Sequence, residues 1–320
     1  MTTIQGVKGI HHITAFCGDP QRNVDFCSGV LGLRMVKVSV NQDDPGTYHL
    51  YYGDETGAPG TAITFFPWPD ARRGRIGHGQ VAVTAYSIPA ESIDYWRQRL
   101  VEKGFAPFGP EMRFNEQVLS FEDPDGLLIE LVADQSGDPR PGWAGHDVPA
   151  EHAIRGFHSA TIWFAKEEKS MPTLQETLGF KELGREGDRI RLIAEGGLPG
   201  QIIDLIPYEG ERGLDGIGTV HHIAWRAEDD AHEMALLDSV HARGLRSSGF
   251  VDRQYFHSIY FREPGGVLYE VATDGPGFTI DEPVESLGHG LMLTPWHEPH
   301  RAAIRAALPA LTTPAGVKLP

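Results

Sequence analysis

Cysteine is scarce in this chain of 320 residues: Cys17 and Cys27 are the only two, and they form no CxxC pair. One bridge could be made from them, but a disulfide-dense secreted scaffold is excluded. Basic residues are also in deficit, with 28 Lys plus Arg against 44 Asp plus Glu and a formal net charge of −16. Polyanions are repelled by such a surface, and no basic run offsets it, so nucleic acid is not an expected partner. No apolar run approaches a membrane span, and the N-terminus shows no basic-then-apolar signal pattern. These absences predict a soluble cytoplasmic protein without a membrane partner.

What is abundant is glycine and proline, 38 and 23 residues, which implies many short elements joined by tight turns. Hydrophobic content of 40% and charge of 22% are those of a globular chain, long enough for one large domain or two ordinary ones.

Internal repetition organises the rest. Gly57–Trp68 (GAPGTAITFFPW) resembles Gly197–Tyr208 (GLPGQIIDLIPY), at an offset of 140 residues. Phe121–Glu130 (FEDPDGLLIE) resembles Phe261–Glu270 (FREPGGVLYE) at the same offset. Two unrelated sites sharing one offset make two homologous halves. Each half divides again, because strand-like segments begin at His12, His78, His158 and His222, each followed by a helix signal and further strand-like runs. The helices are expected from Asp19-Pro20 towards Gly32, from Pro89 to Lys103, from about Met171 towards Gly179, and from about Asp230 to Arg243. The predicted fold class is α+β: four βαβββ modules paired into two cupped mixed β-sheets. Residues 1–145 form the N-terminal half and 146–282 the C-terminal half. Residues 283–320 form a tail with one short helix near 301–308.

A lone strand histidine is usually structural. Here, however, His12 and His222 sit in the same local pattern, His-His-Ile followed by an aspartate at Asp19 and Asp229. Glu270 lies in the apolar run Val267–Ala272, where an unpaired carboxylate costs several kcal/mol, so a partner is required. Two imidazoles and one carboxylate are the set that leaves one face of an iron(II) ion open.

With these residues in place the chain resembles the vicinal-oxygen-chelate superfamily. Within it the likeness is to the type I extradiol dioxygenases, specifically the bacterial branch that opens hydroquinones. The likeness spans residues 8 to 275 and rests on Gly9–Thr14, Val220–Ala224 and Asp252–Glu270. It implies a metal held by His12, His222 and Glu270, drawn from the first and fourth modules, with Fe(II) as cofactor and Mn(II) as the other candidate. It implies catalytic roles for Tyr260 and Arg253, and substrate-binding roles for His11, Thr14 and His221. The implied partners are a small aromatic substrate and O₂, and a homo-oligomer is expected. Alternation puts Thr14 on the His12 face but turns His11 and His221 away, unless bulges re-aim them. The acid–base histidine of catechol-cleaving relatives is replaced by Val251, which tells against catechol chemistry and draws attention to Arg253. Thr47, His49, Tyr51, Trp68, Trp225 and Phe256 are candidates for the cup wall, although ordinary sheet core is the blander reading for each. His257 alternates to the face opposite Tyr260 and is left out.

Two further readings stand beside this one. A glyoxalase-type isomerase would use a second constellation, taking His78 as the counterpart of His222 and His158 as that of His12, with Glu130 and Asp204. A metal-free protein sequestering aromatic antibiotics would need none of these ligands. A pairing of modules within each half would instead join His158 to His222 and Glu270.

Overall fold

A computed structural model describes residues 5–145 and 147–319. Each of four successive segments runs strand, helix, three strands. The first is β1 (Ile10–Cys17), α1 (Pro20–Gly29), β2 (Arg34–Val40), β3 (Tyr48–Gly53) and β4 (Ala62–Pro67). The second is β5 (Gln80–Pro89), α2 (Ile93–Glu102), β6 (Phe108–Arg113), β7 (Glu116–Glu122) and β8 (Leu128–Asp134). The third is β9 (Gly156–Phe164), α3 (Glu167–Pro172), β10 (Lys181–Glu186), β11 (Arg189–Ile193) and β12 (Ile202–Pro207). The fourth is β13 (Val220–Ala227), α4 (Asp230–Ala242), β14 (Val251–Asp252), β15 (Phe256–Arg262) and β16 (Leu268–Pro276).

Helix starts follow their caps. The Asp19 carboxylate accepts the Arg22 N–H and that of Asp229 the His232 N–H, satisfying donors that the first turn leaves free. The third helix departs from expectation. It begins at Glu167, with Glu167 and Glu168 in its first turn, and gives way to a π turn over Thr173–Thr177 just after Pro172. Proline donates no N–H to the α ladder, so the ladder loosens there. Tail helix α5 (Arg301–Ala307) sits where the sequence placed it.

The modules form two eight-stranded mixed sheets, ordered β14-β15-β16-β13-β1-β4-β3-β2 and β10-β11-β12-β9-β5-β8-β7-β6. Each sheet therefore joins one module from each half, first with fourth and second with third. His158, on β9, lies in the other sheet from His222 and Glu270, which excludes the within-half pairing. At the centre of the first sheet, β1 runs antiparallel to β13 and parallel to β4.

Alternation divides each strand between two environments. Ile13, Ile223 and Tyr269 join a continuous core with Phe26 of α1, Trp96 of α2 and Leu236 of α4. Their neighbours His12, His222 and Glu270 face the concave side. Gly9 admits β1 to this position: at φ +118°, a Cβ there would lie 2.4 Å from the Gly200 carbonyl oxygen.

Candidate metal centre and its cavity

Register brings the three expected ligands together. Glu270 pairs with Ala224 across β16 and β13, and Ala224 pairs with His12 across β13 and β1. His222 lies opposite Thr14 on the adjacent level. The result is a triangle: His12 Nε2 is 3.2 Å from His222 Nε2 and 3.3 Å from Glu270 Oε2, and His222 Nε2 is 2.9 Å from the same oxygen. All three residues are buried.

Protonation of His12 follows from its hydrogen bonds. The Thr273 carbonyl can only accept, so His11 Nε2, 3.0 Å away, carries a proton. Burial, then the neighbouring His12, lowers the His11 pKa to about 3, so the ring is neutral and its Nδ1 is an acceptor. His12 Nδ1, 2.9 Å from that atom, must donate, which leaves the His12 Nε2 lone pair aimed at the centre. His221 Nδ1 stands 2.7 Å from His222 Nδ1 in the same relation, and burial lowers its pKa also to about 3. With His222 Nε2 as a second lone pair, His221 Nε2–H is left as a donor. Burial favours neutral His222, and the effect outweighs the opposing pull of Glu270.

Glu270 Oε1 accepts from Ser258 Oγ, but Oε2 is buried without a hydrogen-bond partner among the described residues. Burial alone would raise its pKa, and only positive charge on the side facing the two imidazoles, a proton or a cation, holds it well below the usual carboxylate range. Three lone-pair atoms pointing at one place repel one another unless a cation lies between them. Their spacing fits one: ligands about 2.1 Å from a shared ion lie about 3 Å apart when adjacent in an octahedron. The donor set therefore fits a divalent metal, and two nitrogens with one carboxylate suit iron(II).

Around this centre is a cavity of about 230 Å³. Phe66, Trp68 and Phe256 supply apolar wall, while Tyr260, Arg253, His221, His49 and Tyr51 supply polar groups. Arg253 Nε is 3.2 Å from the Tyr260 hydroxyl, and because guanidinium only donates, the Tyr260 proton is free for another acceptor. Burial, then Glu270, raises the Tyr260 pKa well above that of an ordinary phenol, so it stays a donor. Arg253 also reaches Gln42 Oε1 and Asp43 Oδ2, tying the segment between β2 and β3 over the cavity mouth.

Several expectations need correction. The resemblance implies substrate-binding roles for His11 and Thr14, but neither is among the residues lining the cavity. The β1/β13 pairing shifts register between Ile10 and His12, and this irregularity turns His11 behind His12. Thr14 does share the His12 face, but its hydroxyl is bonded to Thr64 Oγ1. A second shift, opposite His221, brings His221 into the wall. Trp225 is core, packed on Phe180 and Tyr269, and Thr47 acts from outside the wall by accepting the Trp68 Nε1–H. His257 faces away and pairs with Asp230. Sequence reasoning missed Gln42, Asp43 and Phe66, for which only loop position and strand alternation gave a signal.

The second cup is a charge network. Equivalent pairing places Ser159 where His12 stands and Val83 where His222 stands; His78 precedes β5 and His158 matches His11. Glu130 takes a two-pronged bond from Arg113, at 2.7 and 3.0 Å, and Asp204 is held by Arg189 and Arg191. Guanidinium groups neutralise the carboxylates that a metal would need, so the glyoxalase-type constellation is not assembled. Among the described residues, Glu116, Asp134 and His158 form another acidic group, but His158 and Arg191 already engage Glu116.

Known proteins share this chain's sequence and fold. A family model for the Glyoxalase/Bleomycin resistance protein/Dioxygenase superfamily matches residues 9–131. The candidate ring-cleaving dioxygenase MhqO of Bacillus subtilis (strain 168) is 47% identical, over 94% of this chain and 95% of its own. The chlorohydroquinone/hydroquinone 1,2-dioxygenase of Sphingobium indicum is 36% identical, over 90% of this chain and 92% of its own. A crystal structure of a candidate dioxygenase from Bacillus subtilis superposes with TM-score 0.91 and 46% identity, over 95% of this chain and 97% of that one. Maize glyoxalase I, at 16% identity, superposes with TM-score 0.62 over 83% of this chain and 92% of its own, and so shares the fold.

Proposed function

The chain belongs to the glyoxalase/bleomycin resistance protein/dioxygenase superfamily, and we propose that it is an iron(II)-dependent, extradiol-type dioxygenase that opens hydroquinone-type rings. One observation carries the reading: the orphaned Glu270 oxygen meets the two histidine lone pairs in a buried triangle beside an aromatic-walled cavity. The relatives' names support the reaction class, and the Sphingobium enzyme's name supports the substrate.

Bound iron(II) supplies a Lewis acid that favours the ionised phenol and a redox partner linking ring electrons to O₂. His11 and His221 fix the tautomers of the two ligating imidazoles, and Ser258 orients Glu270. The apolar wall holds the ring and excludes water, which strengthens every charge interaction inside. Arg253 places a permanent positive charge beside the cavity, where it stabilises negative charge developing on the substrate. Tyr260, its oxygen held by Arg253, presents its proton to an oxygen atom of the reacting group. His221 Nε2–H is a second donor in the wall. Thr14 and His11 position other groups rather than touch substrate.

Protein reconstituted anaerobically with Fe(II) is expected to consume O₂ with methylhydroquinone, and His222→Ala is expected to lose both uptake and bound iron. Full uptake by an iron-free His222→Ala variant would contradict the assignment.

A further inference from the structure

We propose that the Tyr51 hydroxyl, held by His49, hydrogen-bonds the distal hydroxyl of a 1,4-dihydroxylated ring and so selects hydroquinones over catechols. This rests on the ring-cleaving reading above and names how that site chooses its substrate.

His49 and Tyr51 are two residues apart on β3 and face the cavity together. The Tyr51 hydroxyl is 2.6 Å from His49 Nδ1, and His49 Nε2 is 2.8 Å from Thr64 Oγ1. Thr64 Oγ1 in turn lies 2.8 Å from Thr14 Oγ1. Both ring nitrogens of His49 are therefore occupied. Thr64 is engaged on both sides. Among the described residues Tyr51 uses only one of its hydrogen-bonding positions, and it is the member at the open end, in the cavity wall. Whichever way the protons run, a hydroxyl can pair with it, because a hydroxyl both donates and accepts.

Register places this open end opposite the metal centre. Tyr51 pairs with Thr64, Thr64 with Thr14, and Thr14 with His222, so all four share one level of the curled sheet. A ring bound through one oxygen at the metal presents a para hydroxyl to the far wall. An ortho diol keeps both hydroxyls at the metal end and makes no hydrogen bond to Tyr51, which then keeps only His49, so that contribution to affinity is lost. The second cup shows the contrast at the same positions. Arg189 and Arg191 stand there, both paired with Asp204, so an ion-paired charge cluster takes the place of a neutral hydroxyl.

The test is a binding cycle without O₂, on Fe(II)-loaded protein, using hydroquinone and its near-isostere 4-methylphenol. Wild type is expected to prefer hydroquinone by roughly 5- to 30-fold. Tyr51→Phe should lose most of that preference while binding 4-methylphenol within about 2-fold of wild type, as expected when only one hydrogen bond is removed. His49→Gln, which frees the phenol to turn away, should lose part of it. An equal loss for both ligands would make Tyr51 a wall residue only, and a wild type without preference would overturn the proposal outright. Because no turnover is needed, failure of this cycle is distinct from failure of ring cleavage, which shows as absent O₂ uptake by wild type.

Discussion

The proton on Tyr260 is the residue-scale element on which the account depends most. Its oxygen accepts from Arg253 Nε and stands beside the Ser258 side chain, so its hydrogen is available to Ser258 or to an acceptor in the cavity. Tyr260→Phe is accordingly expected to lower turnover by about 10²-fold, within the usual range for loss of one positioned proton donor. Bound iron, counted by elemental analysis, should be unchanged, because Tyr260 is not among the three converging ligands. Loss of iron with turnover would give Tyr260 a ligating role instead. At this scale the sequence was informative where chemistry repeats. His12 and His222 share a local pattern, and Glu270 stands as an acid in an apolar run. The His11 and His221 orientations were not readable, since each depends on a register irregularity set by the partner strand.

Among the elements, α4 carries an uncompensated carboxylate. Glu233 is fully buried against the sheet, and neither oxygen has a hydrogen-bond partner among the described residues. Burial, reinforced by Asp230 and Glu270 and opposed by His257, raises its pKa to about 7. A raised carboxylate pKa means the folded protein holds a proton that the unfolded chain has released. The neutral form's advantage is intact below about pH 4.5 and disappears as pH rises to about 7. Glu233→Gln should therefore flatten the fall in stability between those limits and raise stability at pH 8 by roughly 1–3 kcal/mol. Thermal melts at pH 5 and pH 8 read this directly, and an equal shift at both would show that ionisation is not the cause. The helix itself was legible, expected from about Asp230 to Arg243 and found over Asp230–Ala242. Its burial of Glu233 was not, because an acid in a polar-looking helix gives no sign of which face meets the sheet. Counting histidines likewise misled in the second module: His78 lies before β5, and only strand pairing shows Val83 in the His222 place.

For the whole molecule, the exchange of modules between halves matters most. The first sheet takes β1–β4 from one half and β13–β16 from the other, so His12 comes from one and His222 and Glu270 from the other. Residues 1–145 and 146–320 produced separately should each fail to hold iron, and mixing them should restore it. Iron retained by one half alone would contradict the cross-half centre. The repeat offset revealed two halves, and the recurring strand and helix signals their four modules, but which modules share a sheet had to be argued from the His-His-Ile context. The central claim remains that O₂ enters the ring. Uptake alone does not settle it, because oxidation of a hydroquinone to a quinone also consumes oxygen. The deciding measurement is the product mass after turnover of methylhydroquinone under ¹⁸O₂. Ring cleavage predicts an acyclic product with the composition of substrate plus one O₂ and ¹⁸O in its carboxylate. A quinone without ¹⁸O, formed with hydrogen peroxide, would contradict the account.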